Sequence, residues 1–105
     1  MDLNKLADNL GLEKDEYLEL IDLFIETSKA DMARVGSAIR EDNSDEAANA
    51  LHSIKGAAGN LGLMEIFDLA KQGETTARDN AMDQIPDVVQ GLKVRLDSLA
   101  ELAGR

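Results

Sequence analysis

Apolar side chains recur every three or four residues along most of the chain, a spacing typical of α-helices rather than β-strands. The clearest stripe lies in a predicted second helix, from about Glu13 to Glu41, and comprises Leu18, Ile21, Ile25, Ser28, Met32, Val35 and Ile39. No stretch alternates apolar and polar residues for long, and the hairpin dipeptides Asn-Gly, Asp-Gly and Pro-Gly do not occur. The pattern therefore predicts an all-α protein.

Capping residues and breaks predict the other helices. They run from about Leu3 to Asn9, from Asn43 or Ser44 to about Leu61, from about Leu63 to Arg78, and from Pro86 onward after a polar loop. The last helix carries an apolar stripe of Val89, Leu92, Leu96, Leu99 and Ala103. Four long helices with short connections, after one short helix, predict an antiparallel up-down-up-down four-helix bundle in a single domain, residues 1–105.

Composition excludes several kinds of site. The chain has 21 Asp and Glu against 11 Lys and Arg, a net charge of −10, so we expect no nucleic-acid partner. It has no cysteine, which excludes disulfides, Cys-based zinc sites and thiol catalysis. With no apolar run of about 20 residues and no signal-peptide pattern, we expect a cytoplasmic protein without membrane contact. We also expect the domain to be a monomer.

The third predicted helix carries the only histidine, His52. At about 100° per residue the core face of this helix comprises Ala47, Ala50, Leu51, Ile54, Ala57, Ala58 and Leu61. His52 points nearly opposite this face, with Lys55, Gly56 and Gly59 beside it. A buried core histidine is therefore excluded, while an indifferent surface histidine stays open.

The two glycines favour a functional histidine. Each costs about 1 kcal/mol relative to alanine inside a helix, and the predicted bundle seam does not require them. Bare backbone at Gly56 and Gly59 would let a large partner approach His52 closely. We therefore interpret His52 as a nucleophilic or phosphoryl-accepting imidazole with Lys55 as its electrostatic partner.

The segment LHSIKGAAGNLG, Leu51 to Gly62, resembles the signature of histidine phosphotransfer (HPt) domains: a His followed by Lys at +3, Gly at +4, small residues and a further Gly. The segments Ile21–Glu26 and Leu63–Arg78 resemble the helices that flank the phosphorylated helix in that family. The resemblance covers about residues 13 to 80.

The resemblance implies a phosphorelay intermediate. His52 would accept a phosphoryl group from the aspartate of a receiver domain, or from a hybrid sensor kinase, and pass it to another receiver. Lys55 would contact the phosphoryl oxygens. The chain would bind no cofactor and have no autonomous kinase activity, since it lacks the phosphate-binding glycine loops of ATP-using enzymes, and Mg²⁺ would belong to the receiver.

Two residues of the fourth predicted helix are candidates for supporting roles. Glu74, 22 residues after the histidine, corresponds to a position where related domains carry a Glu or Gln that hydrogen-bonds the imidazole. It would accept a hydrogen bond from Nδ1, and an ion pair with Arg78 four residues later is an alternative or additional role. Arg78 corresponds to a position where some relatives place an arginine near the phosphoryl group, and it also suits a helix C-terminus.

A partner would need an apolar contact surface around His52. Its candidates are Phe24 and Met64, with Leu10 and Leu12, beside the bare backbone of Gly56 and Gly59; each apolar residue taken singly also suits the core. From Ala50 through Leu63 the only charged side chain is Lys55, which would let an acidic receiver pocket approach an otherwise acidic protein.

Two other function classes stay open. One is a helical adaptor that binds receiver or other domains without phosphotransfer. The other is a cofactor-binding bundle, which is disfavoured because haem and di-metal sites need inward-facing histidines and the one histidine faces outward.

Overall fold

The computed structural model describes residues 1–104. Its helices are α1 (Leu3–Asn9), α2 (Lys14–Arg40), α3 (Ser44–Asn60), α4 (Met64–Arg78) and α5 (Ile85–Leu102), with a single 3₁₀ turn, Met82–Gln84, before α5. No strand occurs in the described part of the chain. The all-helical prediction is confirmed, and the predicted boundaries lie within a single residue of those observed.

Local hydrogen bonds fix both ends of α3. The Asn43 side chain is the N-cap and accepts a hydrogen bond from the Glu46 N–H at 3.1 Å. At the other end Gly62 takes a left-handed φ of +75°, and the Leu63 N–H donates to the Ala58 carbonyl at 2.9 Å. These contacts set the length of the helix that carries His52.

Helix α3 packs against α2 on one side and α4 on the other, and α5 closes the bundle against α4 and α2. Leu51 and Ile54 are fully buried at the centre. Four of the alanines of α3 are also buried, namely Ala47, Ala48, Ala50 and Ala58. Small side chains let neighbouring helices approach α3 closely, while its opposite face stays open to solvent.

A buried tyrosine ties α2 to α3. The Tyr17 hydroxyl, near the start of α2, donates a hydrogen bond to the carbonyl of Leu61 at 2.6 Å. Tyr17 is fully buried, and this burial raises its pKa. The bond satisfies a carbonyl that the end of α3 would otherwise leave unpaired, and it fixes the axial position of α3 relative to α2.

The buried face of α2 is wider than its predicted stripe. Tyr17, Phe24 and Ala38 are buried in addition to Ile21, Ile25, Ser28 and Val35. Helix α2 contacts α1, α3 and α5, so more than one stripe is covered. Several predicted core residues are instead half-buried: Leu18, Met32, Ile39, Ala57, Val89 and Ala103.

A glycine in α4 permits the closest helix contacts in the core. A Cβ atom at Gly73 would lie 2.9 Å from Val88 Cγ1 and 3.0 Å from Leu51 Cδ1. Such distances are shorter than van der Waals contact, so α4 can lie this close to α3 and α5 only without a side chain here. The next residue, Glu74, is thereby brought against α3.

Candidate functional site

His52 lies on the exposed ridge of α3. Its side chain is 62% exposed, whereas Leu51, the preceding residue, is fully buried. The ring therefore stands on a rigid helix whose opposite face is held in the core.

Glu74 of α4 faces this ring. Its carboxylate oxygens lie 3.1 and 3.3 Å from His52 Nδ1. Glu74 itself is only 8% exposed, which is unusual for a carboxylate. A contact from a second helix therefore fixes the orientation of the exposed imidazole.

Two cations meet the same carboxylate. Lys55 Nζ lies 2.7 Å from Glu74 Oε1, and the Arg78 guanidinium donates to Oε2 from Nη2 at 3.0 Å and from Nε at 3.2 Å. Burial raises the pKa of Glu74, but the hydrogen bonds from Lys55, Arg78 and His52 outweigh it and lower the pKa to about 2. Glu74 is therefore ionised throughout the physiological range.

The ionised carboxylate determines which ring nitrogen carries the proton. A carboxylate only accepts hydrogen bonds, so the contact with Glu74 places the proton of the neutral ring on Nδ1. Nε2 then carries a lone pair and has no hydrogen-bond partner among residues 1–104. The arrangement presents a nucleophilic nitrogen to solvent.

The described residues contain no candidate metal site and no candidate membrane-spanning helix. Within residues 1–104 no group of three or more His, Cys, Asp or Glu side chains could hold a metal ion. None of the helices described there has both the length and the apolar character needed to cross a membrane.

Comparison with known proteins identifies the family. A family model described as the Hpt domain matches residues 19–102. The chain is an Hpt domain. The crystal structure of histidine-containing phosphotransfer protein B (HptB) from Pseudomonas aeruginosa PAO1 has a similar fold, with a TM-score of 0.86 and 22% sequence identity over 99% of this chain and 90% of that one. No curated protein sequence matches the chain significantly.

Membership in this family gives the general function. Hpt domains carry phosphoryl groups in phosphorelays and interact with the receiver and kinase components of two-component systems. This chain is therefore a phosphotransfer carrier, and the expected family and four-helix bundle are both confirmed.

The two glycines beside His52 in this Hpt domain have different surroundings. At Gly56 a Cβ atom would meet nothing within 4 Å, so the backbone there is open to a partner. At Gly59 a Cβ atom would lie 3.2 Å from Cδ2 of Phe67. The aromatic ring of α4 therefore covers the backbone at Gly59, whereas the backbone at Gly56 is open.

The contact surface differs from the predicted one at Phe24 and Met64. Phe24 is only 3% exposed, so it is buried rather than semi-exposed, because α2 turns a wide face inward. Met64 is 52% exposed but lines a separate cavity beside α1, together with Leu6. Leu10 is exposed and Leu12 half-buried. Phe24 and Met64 therefore lie in different cavities.

An apolar groove lies between α2 and α3 and includes the predicted contact residue Phe24. Its volume is about 260 Å³, and it is lined by Leu20, Leu23, Phe24, Thr27, Ala57, Asn60 and Leu61. Leu23 is 61% exposed and Leu20 is 41% exposed. Leu20 and Leu23 were not among the contact residues predicted from the sequence. The available signal was that both leucines lie outside the predicted apolar stripe of α2.

A polar chain borders His52 on the α2 side. The Ser53 hydroxyl donates to Asp31 Oδ2 at 2.7 Å, and Arg34 bridges Asp31 and Glu46 at 3.0 and 2.8 Å. Sequence reasoning missed these residues too, since Asp31 and Ser53 lie 22 residues apart on different helices. The bonds fix the rotation of α3 beside the histidine.

Proposed function

We propose that His52 is the phosphoryl-carrying residue of this Hpt domain and relays the group between aspartates of receiver domains. The observation that carries the proposal is the pairing of Nδ1 with Glu74 at 3.1 Å, which leaves Nε2 unprotonated and without a partner among the described residues. An indifferent surface histidine would not account for a buried carboxylate aimed at one ring nitrogen.

The transfer step follows from this tautomer. The Nε2 lone pair attacks the phosphorus of the aspartyl phosphate in line with the bond that breaks. The Nε2–P bond forms, the P–O bond breaks, and the aspartate carboxylate leaves with the electron pair. Nδ1 keeps its proton, so the ring becomes positively charged, and the Glu74 carboxylate stabilises that charge. Transfer to a second receiver involves the reverse changes: an aspartate oxygen of that receiver attacks the phosphorus, a new P–O bond forms, and the Nε2–P bond breaks.

Lys55 and Arg78 are the candidate contacts of the phosphoryl oxygens. Both already meet at the Glu74 carboxylate, with Lys55 one helical turn after His52. In this proposal both side chains, of which Arg78 is 50% and Lys55 24% exposed, turn toward a group on Nε2. They would neutralise charge that spreads over the equatorial oxygens in the transition state.

We propose that the receiver docks over His52 and the apolar groove between α2 and α3. A standard interface covers about 800 Å² on each partner, a disc of roughly 16 Å radius. Asn60, at the far end of the groove, lies only about 12 Å along α3 from His52 at 1.5 Å per residue. In this proposal a receiver whose phosphoaspartate reaches Nε2 also covers the end of the groove at Asn60, with Gly56 beneath it.

The proposal assigns the metal ion and the acidic pocket to the receiver and the phosphoryl-carrying histidine to this chain. The receiver would supply Mg²⁺ and the acidic pocket, while this chain would bind no cofactor and transfer no phosphate from ATP by itself. The domain would act as a cytoplasmic monomer, without nucleic-acid or membrane partners, because its net charge of −10 repels phosphate-rich surfaces.

The test is transfer from receiver domains radiolabelled with acetyl phosphate, drawn from the organism that encodes this chain. The expected result is an acid-labile, alkali-stable label on the wild type that is absent from His52→Gln. Incubation with labelled ATP alone should leave the wild type unlabelled. Receivers that bind the domain without labelling it would overturn the proposal and favour the adaptor. An unchanged label in His52→Gln would overturn the role of His52 and place the phosphoryl group on another residue.

A further inference from the structure

Glu74 has more partners than the orientation of an imidazole requires. One acceptor oxygen would hold Nδ1, yet this carboxylate also accepts from Lys55 at 2.7 Å and from Arg78 at 3.0 Å. His52 Nδ1 lies 3.1 Å from Oε2, which Arg78 also contacts, and 3.3 Å from Oε1, which Lys55 also contacts. The two cations nearest the histidine are therefore both engaged by a buried anion when no phosphoryl group is present.

Phosphorylation would change the charges around these cations. The resting cluster holds one negative charge on Glu74 and two positive charges on Lys55 and Arg78. A phosphoryl group on Nε2 adds two negative charges, and the protonated ring adds one positive charge. Two anions, the carboxylate and the phosphoryl group, then compete for the same two cations at short range.

We infer that Glu74 competes with the phosphoryl group of phosphorylated His52 for Lys55 and Arg78. This competition keeps the phosphohistidine able to donate its phosphoryl group readily to a receiver. The inference rests on the proposed function of His52. Glu74 is a positioning residue here: it acts through the two cations and does not touch the reacting atoms. The ion pairs of Lys55 and Arg78 with Glu74 stabilise the unphosphorylated domain and loosen when the phosphoryl group arrives. The two cations therefore stabilise the phosphorylated state less than they would without Glu74.

Glu74 has two opposing effects on the equilibrium between the unphosphorylated and the phosphorylated domain. The carboxylate attracts the positively charged ring of the phosphohistidine, which favours phosphorylation. It also repels the two charges of the phosphoryl group and keeps the cations away from them. In this proposal the competition outweighs the attraction, because both cations lie 3.0 Å or less from the carboxylate, whereas Nδ1 lies 3.1 and 3.3 Å from its oxygens.

The decisive variant is Glu74→Gln, because a glutamine carbonyl accepts the same hydrogen bond from Nδ1 but holds cations weakly. The measurement is the equilibrium distribution of label between one receiver and the domain at equal concentrations, together with the half-life of the isolated phosphohistidine. We expect the equilibrium to move about threefold to tenfold toward the phosphorylated domain, since partly exposed ion contacts are weak. The half-life should lengthen.

A double-mutant cycle separates competition from a merely structural effect. In a Lys55→Gln background the Glu74→Gln change should move the equilibrium less, because one of the contested cations is gone. Glu65→Gln, an exposed glutamate on the same helix, is the matched control and should leave the equilibrium unchanged. Thermal unfolding and receiver affinity of each variant show that folding and docking are intact.

The outcomes distinguish this inference from the proposed function. An unlabelled wild type contradicts the role of His52 itself. A labelled wild type with an unchanged equilibrium in Glu74→Gln means that the carboxylate only orients the ring, and a shift toward the receiver means that its attraction for the charged ring dominates. Either of these overturns the competition and leaves the role of His52 standing.

Discussion

Lys55 directs its ammonium group at the carboxylate of Glu74, 2.7 Å away. Sequence spacing alone placed this lysine beside the histidine, ready for a phosphoryl group. In the resting domain it is only 24% exposed and is held by an anion on another helix. Under the proposed function, the lysine is drawn from this carboxylate to the phosphoryl group during transfer.

Lys55→Ala is expected to slow phosphotransfer by about tenfold, because one cation that faces the transition-state oxygens is lost at a solvent-accessible site. The free energy of unfolding should fall by only about 1 kcal/mol. Rapid-quench transfer from a labelled receiver and urea unfolding measure the two effects. Lys71→Ala, an exposed lysine on α4, is the control and should transfer at the wild-type rate. Equal rates in both variants would remove Lys55 from its role.

Gly56→Val is expected to slow transfer by about a hundredfold or more while the fold persists. Open space surrounds the Gly56 Cα, so the new side chain meets only the incoming receiver. A displacement of about 1 Å at the reacting atoms costs about this factor. Gly36→Val on α2, where a Cβ would meet only the Arg40 guanidinium at 3.6 Å, tests the helix substitution alone. Normal transfer in Gly56→Val would contradict close approach at this position.

Ionised Glu74 is expected to make stability depend on acid pH. Its pKa is about 2 in the folded domain against an ordinary value of 4.5, so its contribution is fully present above pH 4.5 and is lost as the pH falls toward 2. We expect about 2 kcal/mol in total, because His52 and Arg78 are half exposed or more and solvent screens them.

Urea unfolding between about pH 6 and about pH 3 checks this contribution. The stability advantage of the wild type over Glu74→Gln should shrink by about 1 kcal/mol over that range. Glu101→Gln changes an exposed glutamate that makes no ion pair with the described residues, and serves as the matched control. A constant difference between wild type and Glu74→Gln would show that the folded carboxylate is not stabilised in its ionised form.

Leu23→Glu is expected to weaken receiver binding by about tenfold or more, because it places a charge on the 61% exposed apolar side chain beside the groove. Transfer at saturating receiver should stay near the wild-type rate, since the substitution is away from His52. Titration calorimetry and single-turnover transfer separate the two effects. Val94→Glu introduces the same charge at a 50% exposed apolar position on α5 and should bind normally. Equal affinities would exclude the groove as part of the docking surface.

The helices and the outward position of His52 follow from local sequence. Periodicity, the Asn43 cap and Gly62 place α3, and the wheel puts His52 opposite Leu51 and Ile54. These features depend on residues a few positions apart, so one helix contains all the information. The family motif around His52 is equally local.

Most of the contacts between helices could not be predicted from the sequence. The sequence suggested Glu74 as a partner of His52, but it did not show that Lys55 and Arg78 meet on the same carboxylate. Nor did it show that Phe67 covers Gly59 or that Ser53 bonds Asp31. The rotation and axial offset of each helix come from the packing of all of them, including the close approach at Gly73.

The sequence by itself thus determined a helical chain that presents one histidine, a lysine and bare backbone on a solvent face. The tertiary structure decided which anion holds that lysine, which glycine is open and which leucines lie exposed beside a groove. The physical reason is that burial and charge pairing belong to the space between helices, and that space exists only once the bundle has packed.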